Sequence, residues 1–311
     1  MDAVINIDKP GDLSSQQAVT TVKKIVGTRK AGHAGTLDPL ATGVLLVCTG
    51  EATKVTRFLA DLDKEYIALM KLGEKTDTLD SEGVIVKRTD NIRLEREDLE
   101  KTIERFVGRV AQIPPMYSAI KVGGKRLYTF ARKGMELERP ERTVEISRIE
   151  ITRFDLPWLE IRVLCSKGTY IRTLCDDLGD ALGVGAHVTA LRRTRIGNFR
   201  VEDSATPGEL RDLMHGLKLP AHEMEDLKTG MKARVLVSIA SIDAALAHLG
   251  EIILTDEQFA KARNGAPFIS PIPENGRERF LRMRDPSGNL FAIGKTVGHL
   301  IKIERILHVS G

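Results

Sequence analysis

Asp38 is the one acidic residue in AGHAGTLDPLATG (31–43), a segment that also holds three glycines, a proline and a histidine but no lysine or arginine. An ionised carboxylate that faces a substrate can act as a nucleophile or stabilise developing positive charge. It can equally accept backbone N–H groups in an Asx turn ahead of Pro39 and do nothing more, and turn formers dominate this segment. The residue types leave both readings open. Three further side chains invite chemistry. Tyr66 opens a strand-like run, and Tyr170 and Arg172 begin a helix-like one. Element ends are where a rigid scaffold converges side chains on one cleft. Each also has a plainer use: the tyrosines as core rings with a wet hydroxyl, the arginine as a surface charge. His33 is the one histidine in a motif-like loop, where a lone histidine is more often a hydrogen-bonded structural residue than a ligand.

Other chemistries fail on spacing. GKT at 294–296 lacks the P-loop glycine, because Asn289 stands six residues before Lys295. No G-x-G-x-x-G follows a strand, and neither half of the zinc-deaminase signature is present. Cys48, Cys165 and Cys175 are odd in number and lack C-x-x-C spacing, so they predict reduced, mostly buried thiols rather than a disulfide framework or a zinc site.

The elements that must position these residues are legible in the periodicity. Helices are expected from Ser14 or Ser15 to Gly27, after Glu51 (burying Ala52, Val55, Phe58, Leu59 and Leu62), over Leu99–Val107, and from Ile171 to Leu182. Strands are expected at 43–49, 65–73 and 159–165. Helices and strands mixed without a βαβ period predict an α+β fold around a mixed, mainly antiparallel sheet. At 311 residues the chain exceeds what one core usually serves. The character changes after a helical stretch at 241–249 to short β-like runs separated by NG, PENG and DPSG turns. The expected division is 1–248 and a small β-domain over 249–311.

Net charge is +4, and the excess is clustered. Residues 121–142 carry seven Lys/Arg against three Glu, and 192–200 carry four Arg and no acid. Either stretch alone reads as a solvated face; together they suggest a polyanionic partner. The N-terminus carries two Asp where a secretory signal needs positive charge, and no apolar run approaches the ~18 residues of a membrane helix. The expected location is the cytoplasm.

Longer strings then become recognisable: NIDKPGDLSS (6–15), AGHAGTLDPLATGVL (31–45), GEATK (50–54), KEY (64–66), LGEKTDTLDSEG (72–83), IPPMYSAIKVGGKRLYTFARKG (113–134), CSKGTYIRTLCDDLG (165–179) and GAHVTALRR (185–193). Their dense, collinear match resembles the TruB family of tRNA pseudouridine synthases, which convert uridine 55 of the tRNA T-loop to pseudouridine. The tail beyond about residue 250 resembles that family's PUA-type RNA-binding domain loosely. The resemblance implies the pseudouridine synthase fold, an RNA-clamping thumb at about 111–142 that contains Lys121, and tRNA as partner, held by its T-arm and by the acceptor stem through the C-terminal domain. It implies Asp38 as nucleophile, Tyr66 as the ring that stacks on the flipped base, Tyr170 as an active-site tyrosine, and Arg172 as the partner of Asp38. His33 is implied to contact the T-loop as the base leaves its stack. Lys9, Lys121, Lys125, Arg126, Arg132, Arg192 and Arg193 are expected to meet RNA.

This isomerisation cleaves the glycosidic bond, turns the held base and rejoins it through ring carbon 5, so neither cofactor nor metal is called for. Asp38 must stay charged beside an uracil ring, and the opposite charge of Arg172 favours that form. Arg172 is expected to serve Asp38 rather than the fold. Gly32, Gly35 and Gly43 are expected to admit an RNA backbone, with Pro39 stiffening the loop. A guide-dependent synthase needing partner proteins is disfavoured, because its relatives carry N-terminal extensions and KPGDLSS begins at residue 9 here. An RNA-chaperone role is compatible with the enzyme.

Overall fold

The computed structural model describes residues 1–118, 120–122, 124–131, 134–216, 229–269 and 279–308. Its centre is a sheet whose main strands are β1 (Val4–Lys9), β2 (Ala31–His33), β3 (Thr42–Thr49), β4 (Lys64–Leu72), β5 (Gly108–Gln112), β6 (Arg142–Asp155), β7 (Trp158–Cys165), β8 (Ala186–Ile196) and β9 (Ile239–Ala240). Along the sheet they run β9-β1-β3-β8-β4-β7-β6-β5, with β2 also paired to β3. The β3–β8 ladder is parallel, Arg192 facing Thr42 and Arg193 facing Gly43. The other pairings along this path are antiparallel.

Strand β4 shows how sequence sets the layers. Its alternating pattern buries Lys64, Tyr66, Ala68, Met70 and Leu72 on one face, as a period of two requires. Strand β3 is covered on both faces and is correspondingly apolar from Val44 to Cys48. Leu45 and Val47 join the main core with helix α1 (Ser15–Ile25), whereas Val44 and Leu46 face a second core with Phe58 and Leu59. Helix α1 starts in a capping box: the Gln17 N–H donates to Ser14 Oγ at 3.2 Å, and the Ser14 N–H donates to Gln17 Oε1 at 2.9 Å. Helix α2 (Arg96–Glu104) and helix α3 (Ile171–Ala181) complete the main core.

The single helix expected after Glu51 is instead a 3₁₀ segment, Gly50–Val55, followed by a short α-turn, Thr56–Ala60. Thr53 and Thr56 each donate to the carbonyl three residues back, at 2.7 and 3.0 Å, which favours the tighter winding. The helical stretch expected at 241–249 shrinks to Ile242–Ala245. Beyond it a five-stranded sheet orders Gly250–Ile253, Phe280–Arg284, Leu290–Val297, Leu300–Ile306 and Phe268–Ile269 around its own small core. This unit is anchored to the larger one. Ile293 and Leu307 bury themselves with Val4, Leu46 and Phe58, and the Phe58 and Phe280 rings meet edge to face at 5.0 Å. All three cysteines are unpaired and buried, and burial pushes the Cys48 and Cys165 thiols up to about 11. Among the described residues, no helix is long and apolar enough to cross a membrane.

Helix α3 carries a testable electrostatic load. Burial pushes the Asp177 carboxyl up to about 6, with Asp176 and Asp180 adding to the effect and Lys75 opposing it. The native pKa exceeds the unfolded one, so this group favours folding fully below about pH 4, and that contribution is lost as pH rises through 6. Asp177→Asn is expected to raise Tm by about 2–5 °C at pH 7 and to leave it unchanged near pH 4. Thermal melts across pH 4–8 check this; a constant gap between the two proteins at every pH would contradict it.

Candidate active site

The loop that carries Asp38 is fastened carbonyl by carbonyl. Arg193 donates from Nη2 to Gly35 O at 3.0 Å and from Nη1 to Thr36 O at 3.3 Å. Ser15 Oγ donates to Leu37 O at 3.0 Å and accepts the Leu37 N–H at 2.8 Å. The Ala41 N–H donates to Asp38 O at 3.1 Å, and Lys9 Nζ donates to Pro39 O at 3.1 Å. Five successive carbonyls are therefore satisfied without the Asp38 side chain. Among the described residues, no backbone N–H donates to that carboxylate, so the Asx-turn alternative fails. Asp38, a third exposed, instead faces Arg172, whose Nε lies 2.9 Å from Oδ2. The contact is an ion pair rather than an aligned hydrogen bond, because the Nε–H is not aimed along it.

Arg172 itself is almost fully buried near the start of α3 and gathers three segments. Nη1 donates to Asp80 Oδ2 and to Thr78 O, both at 3.0 Å, and Nη2 donates to Tyr117 O at 2.8 Å. A planar guanidinium suits this divergent set in a way an ammonium cannot. Asp80, within LGEKTDTLDSEG, is the carboxylate whose role the sequence does not disclose. It is buried, and it accepts from Thr78 Oγ1 at 2.6 Å and from the Glu82 N–H at 3.1 Å. The available signal was three acids within 77–82, close in sequence to Ser81 and Gly83, with no cation between them.

Tyr66 lies on the buried face of β4, its hydroxyl 3.5 Å from Arg193 Nη1, and Tyr170 occupies the N-cap of α3. Burial raises both phenols above the usual tyrosine range, and both feel the negative charge of Asp38. His33 ends β2 opposite Val47, five residues before Asp38. The structure thus brings Asp38, Tyr66, Tyr170 and Arg172 together. A cavity of about 370 Å³ lined by Lys71, Glu74, Arg88 and Pro157 lies at the other end of β4 and contains none of them.

Two expected RNA contacts are corrected. Lys9 is fully buried, with Nζ donating to Pro10 O, Leu13 O and Pro39 O at 2.8, 2.7 and 3.1 Å. Burial pulls its ammonium down to about 8, against the opposing pull of Asp38. Arg193 is equally buried and donates its third bond, from Nε, to Val44 O at 2.8 Å. Both cations satisfy carbonyls of the protein itself, which leaves them no face for phosphate. Gly43 is also reassigned: at φ +99°, its added Cβ would lie 2.2 Å from Arg193 O, so it admits strand β8 rather than RNA. Arg192 is partly exposed, with its guanidinium on Asp8 at 2.8 and 3.2 Å. The backbones of Lys121, Lys125 and Arg126 form a small hairpin. Their side chains, and Arg132 entirely, lie outside the described residues.

Comparison with known proteins agrees with this geometry. Residues 23–171 match the model of the TruB family pseudouridylate synthase N-terminal domain, and 172–235 match the tRNA pseudouridylate synthase B C-terminal domain. The tRNA pseudouridine synthase B of Aliivibrio fischeri is 42% identical over 301 residues, spanning 96% of this chain and 91% of that one. The chain belongs to the TruB family. The tRNA pseudouridine synthase B of Clostridium tetani, another relative, is 50% identical over 204 residues, covering 66% of this chain and 71% of its own. Among solved structures, a Cbf5-Nop10-Gar1 complex superposes with TM-score 0.73 at 29% identity, covering 98% of this chain and 84% of that chain. An H/ACA RNP bound to a substrate RNA containing 2'-deoxyuridine gives TM-score 0.73 at 27% identity, covering 99% and 85%. These likenesses make the TruB assignment a property of nearly the whole chain, small C-terminal sheet included.

Proposed function

We propose that this protein isomerises uridine 55 in the T-loop of tRNA to pseudouridine, with Asp38 as nucleophile. The observation that carries the reading is the arrangement at Asp38. Its loop is fixed by Lys9, Ser15 and Arg193, so the carboxylate is free to face Arg172, with buried Tyr66 and half-buried Tyr170 close enough to feel its charge. A base inside a folded loop is out of reach until it is flipped, and Tyr66 offers a replacement stacking surface. The Arg172 guanidinium, 2.9 Å from Asp38 Oδ2, orients the carboxylate that acts as nucleophile. The catalytic unit is taken as residues 1–248 with the thumb at about 111–142, and 249–311 as a small PUA-like RNA-binding unit that reaches the acceptor stem. No guide RNA, obligate protein partner or cofactor is required, and the enzyme works in the cytoplasm. The direct test incubates purified protein with an unmodified tRNA transcript alone and maps pseudouridine. Product at position 55 is expected; no product, or product only with added guide RNA, would sink the proposal.

With Lys9 and Arg193 withdrawn, phosphate binding falls to the thumb cations, with His33 at the T-loop and Arg192 at the margin. Replacing Lys121, Lys125 and Arg126 together by Ala is expected to weaken tRNA binding. It should also flatten the plot of log affinity against log salt by ~0.7–0.9 per lost phosphate contact. Filter-binding titrations from 50 to 300 mM salt measure the slope, and an unchanged slope would remove the thumb from the interface.

A further inference from the structure

Tyr170 occupies the N-cap of α3, yet its side chain makes no capping bond. Its backbone is held from another element. Gln112, the last residue of the edge strand β5, accepts the Tyr170 N–H on Oε1 at 3.0 Å and donates from Nε2 to Tyr170 O at 3.3 Å. Gln112 is 3% exposed, the one fully buried residue of a strand whose other members are partly or wholly exposed. A buried amide is costly unless paired, and both bonds of this one go to a single residue. Tyr170 O is also the first acceptor of the helix, receiving the Leu174 N–H at 3.0 Å. The paired contacts therefore fix the height and rotation of Tyr170 relative to the start of α3, two residues before Arg172. They arrive from the strand that leads into the thumb, whose Tyr117 carbonyl takes the Arg172 Nη2.

We propose that Gln112 is a positioning residue for the isomerisation: its side-chain amide grips the Tyr170 backbone and so sets where the phenol stands relative to Asp38 and Arg172. Gln112 touches no reacting atom. Its effect passes through Tyr170, and misplacement of a reactive group by about 1 Å can cost 10²-fold in rate. The inference rests on the active-site role proposed for Tyr170.

The test uses the full chain and an unmodified tRNA transcript under single-turnover conditions. Gln112→Glu keeps an acceptor for the N–H but loses the donor to the carbonyl, while Gln112→Met keeps the length and loses both. Expected rate losses are about 5–10-fold for Gln112→Glu and about 30–100-fold for Gln112→Met. Expected tRNA affinity lies within about 2-fold of wild type and Tm within a few degrees for Gln112→Glu. A residue that acts only through Tyr170 should add little once the phenol is gone, so Gln112→Met with Tyr170→Phe should be no slower than Tyr170→Phe alone. Wild-type rates in both Gln112 variants would overturn the proposal. So would losses that multiply with Tyr170→Phe, or a rate loss in Gln112→Glu matched by an equal loss of folded protein. A Tyr170→Phe enzyme at wild-type rate would instead overturn the role of the phenol, which separates that failure from one at Gln112.

Discussion

Asp38→Asn is expected to abolish pseudouridine formation while leaving the fold and tRNA binding in place. The amide is nearly isosteric, and the loop does not depend on the carboxylate, since Arg193, Ser15, Ala41 and Lys9 hold its carbonyls. Arg172 keeps its buried partner Asp80, so the substitution removes one part-exposed ion pair worth roughly 0–1 kcal/mol. A neutral amide can neither attack nor stabilise positive charge on the sugar, so single-turnover rates should fall by ~10⁴-fold or more. Affinity for a polyanion should hold or rise, because a negative charge is lost. Refolding of a misfolded tRNA, measured beside turnover, isolates any chaperone activity: a variant that refolds tRNA without modifying it carries two separable functions. Turnover by a verified Asp38→Asn preparation would refute the assignment.

How the loop is held could not be read from the chain, and the reason is distance. Gly35 and Arg193 are 158 residues apart, Pro39 and Lys9 30 apart, and nothing in local pattern connects them. Lys9 and Arg193 are expected at RNA from the family resemblance, Arg193 also from its basic stretch 192–200, whereas charged side chains are almost never fully buried unless paired. Here the partners are carbonyls that turns at Gly35, Thr36, Pro10 and Pro39 leave open, a supply invisible in sequence. What could be read was periodic. The alternation of EYIALMKLG (65–73) marks the strand observed as β4 with Tyr66 near its start, and the run from Ile171 to Leu182 marks α3 with Arg172 at its beginning. Strand β6, fourteen residues of alternating but heavily charged RTVEISRIEITRFD, escaped, because its apolar positions are interrupted by arginines and glutamates that leave most of its side chains partly or fully exposed. The segment 50–60 misled differently: its apolar residues are buried as expected, but threonine back-bonding sets a tighter helix than spacing implies.

Arg172→Lys is expected to cost at least about 10²-fold in turnover, the usual loss when one preorganised donor leaves a charged site. From sequence Arg172 is expected to serve Asp38 rather than the fold, with little change in melting temperature; its buried contacts change that expectation. Its guanidinium serves Asp38, Asp80, the Thr78 carbonyl and the Tyr117 carbonyl at once, and an ammonium cannot span them. Charge is conserved in the variant, so Asp80 is not stranded, but at least two buried acceptors lose their donor at about 1–3 kcal/mol each. Tm should therefore drop by several degrees alongside the rate. The two effects can be told apart with Asp80→Asn. That change leaves the guanidinium and its carbonyl contacts in place but removes the charge that shares Arg172 with Asp38. If Arg172 acts mainly by fixing the loops, Asp80→Asn should lower Tm and spare the rate. If the three charges act together on Asp38, its ion pair with Arg172 tightens, the carboxylate becomes a poorer nucleophile, and the rate falls by about 10-fold or more with tRNA affinity unchanged. The second outcome is the expected one, because Asp38 and Asp80 approach different nitrogens of one delocalised cation, at 2.9 and 3.0 Å, so that a charge removed at one is felt at the other.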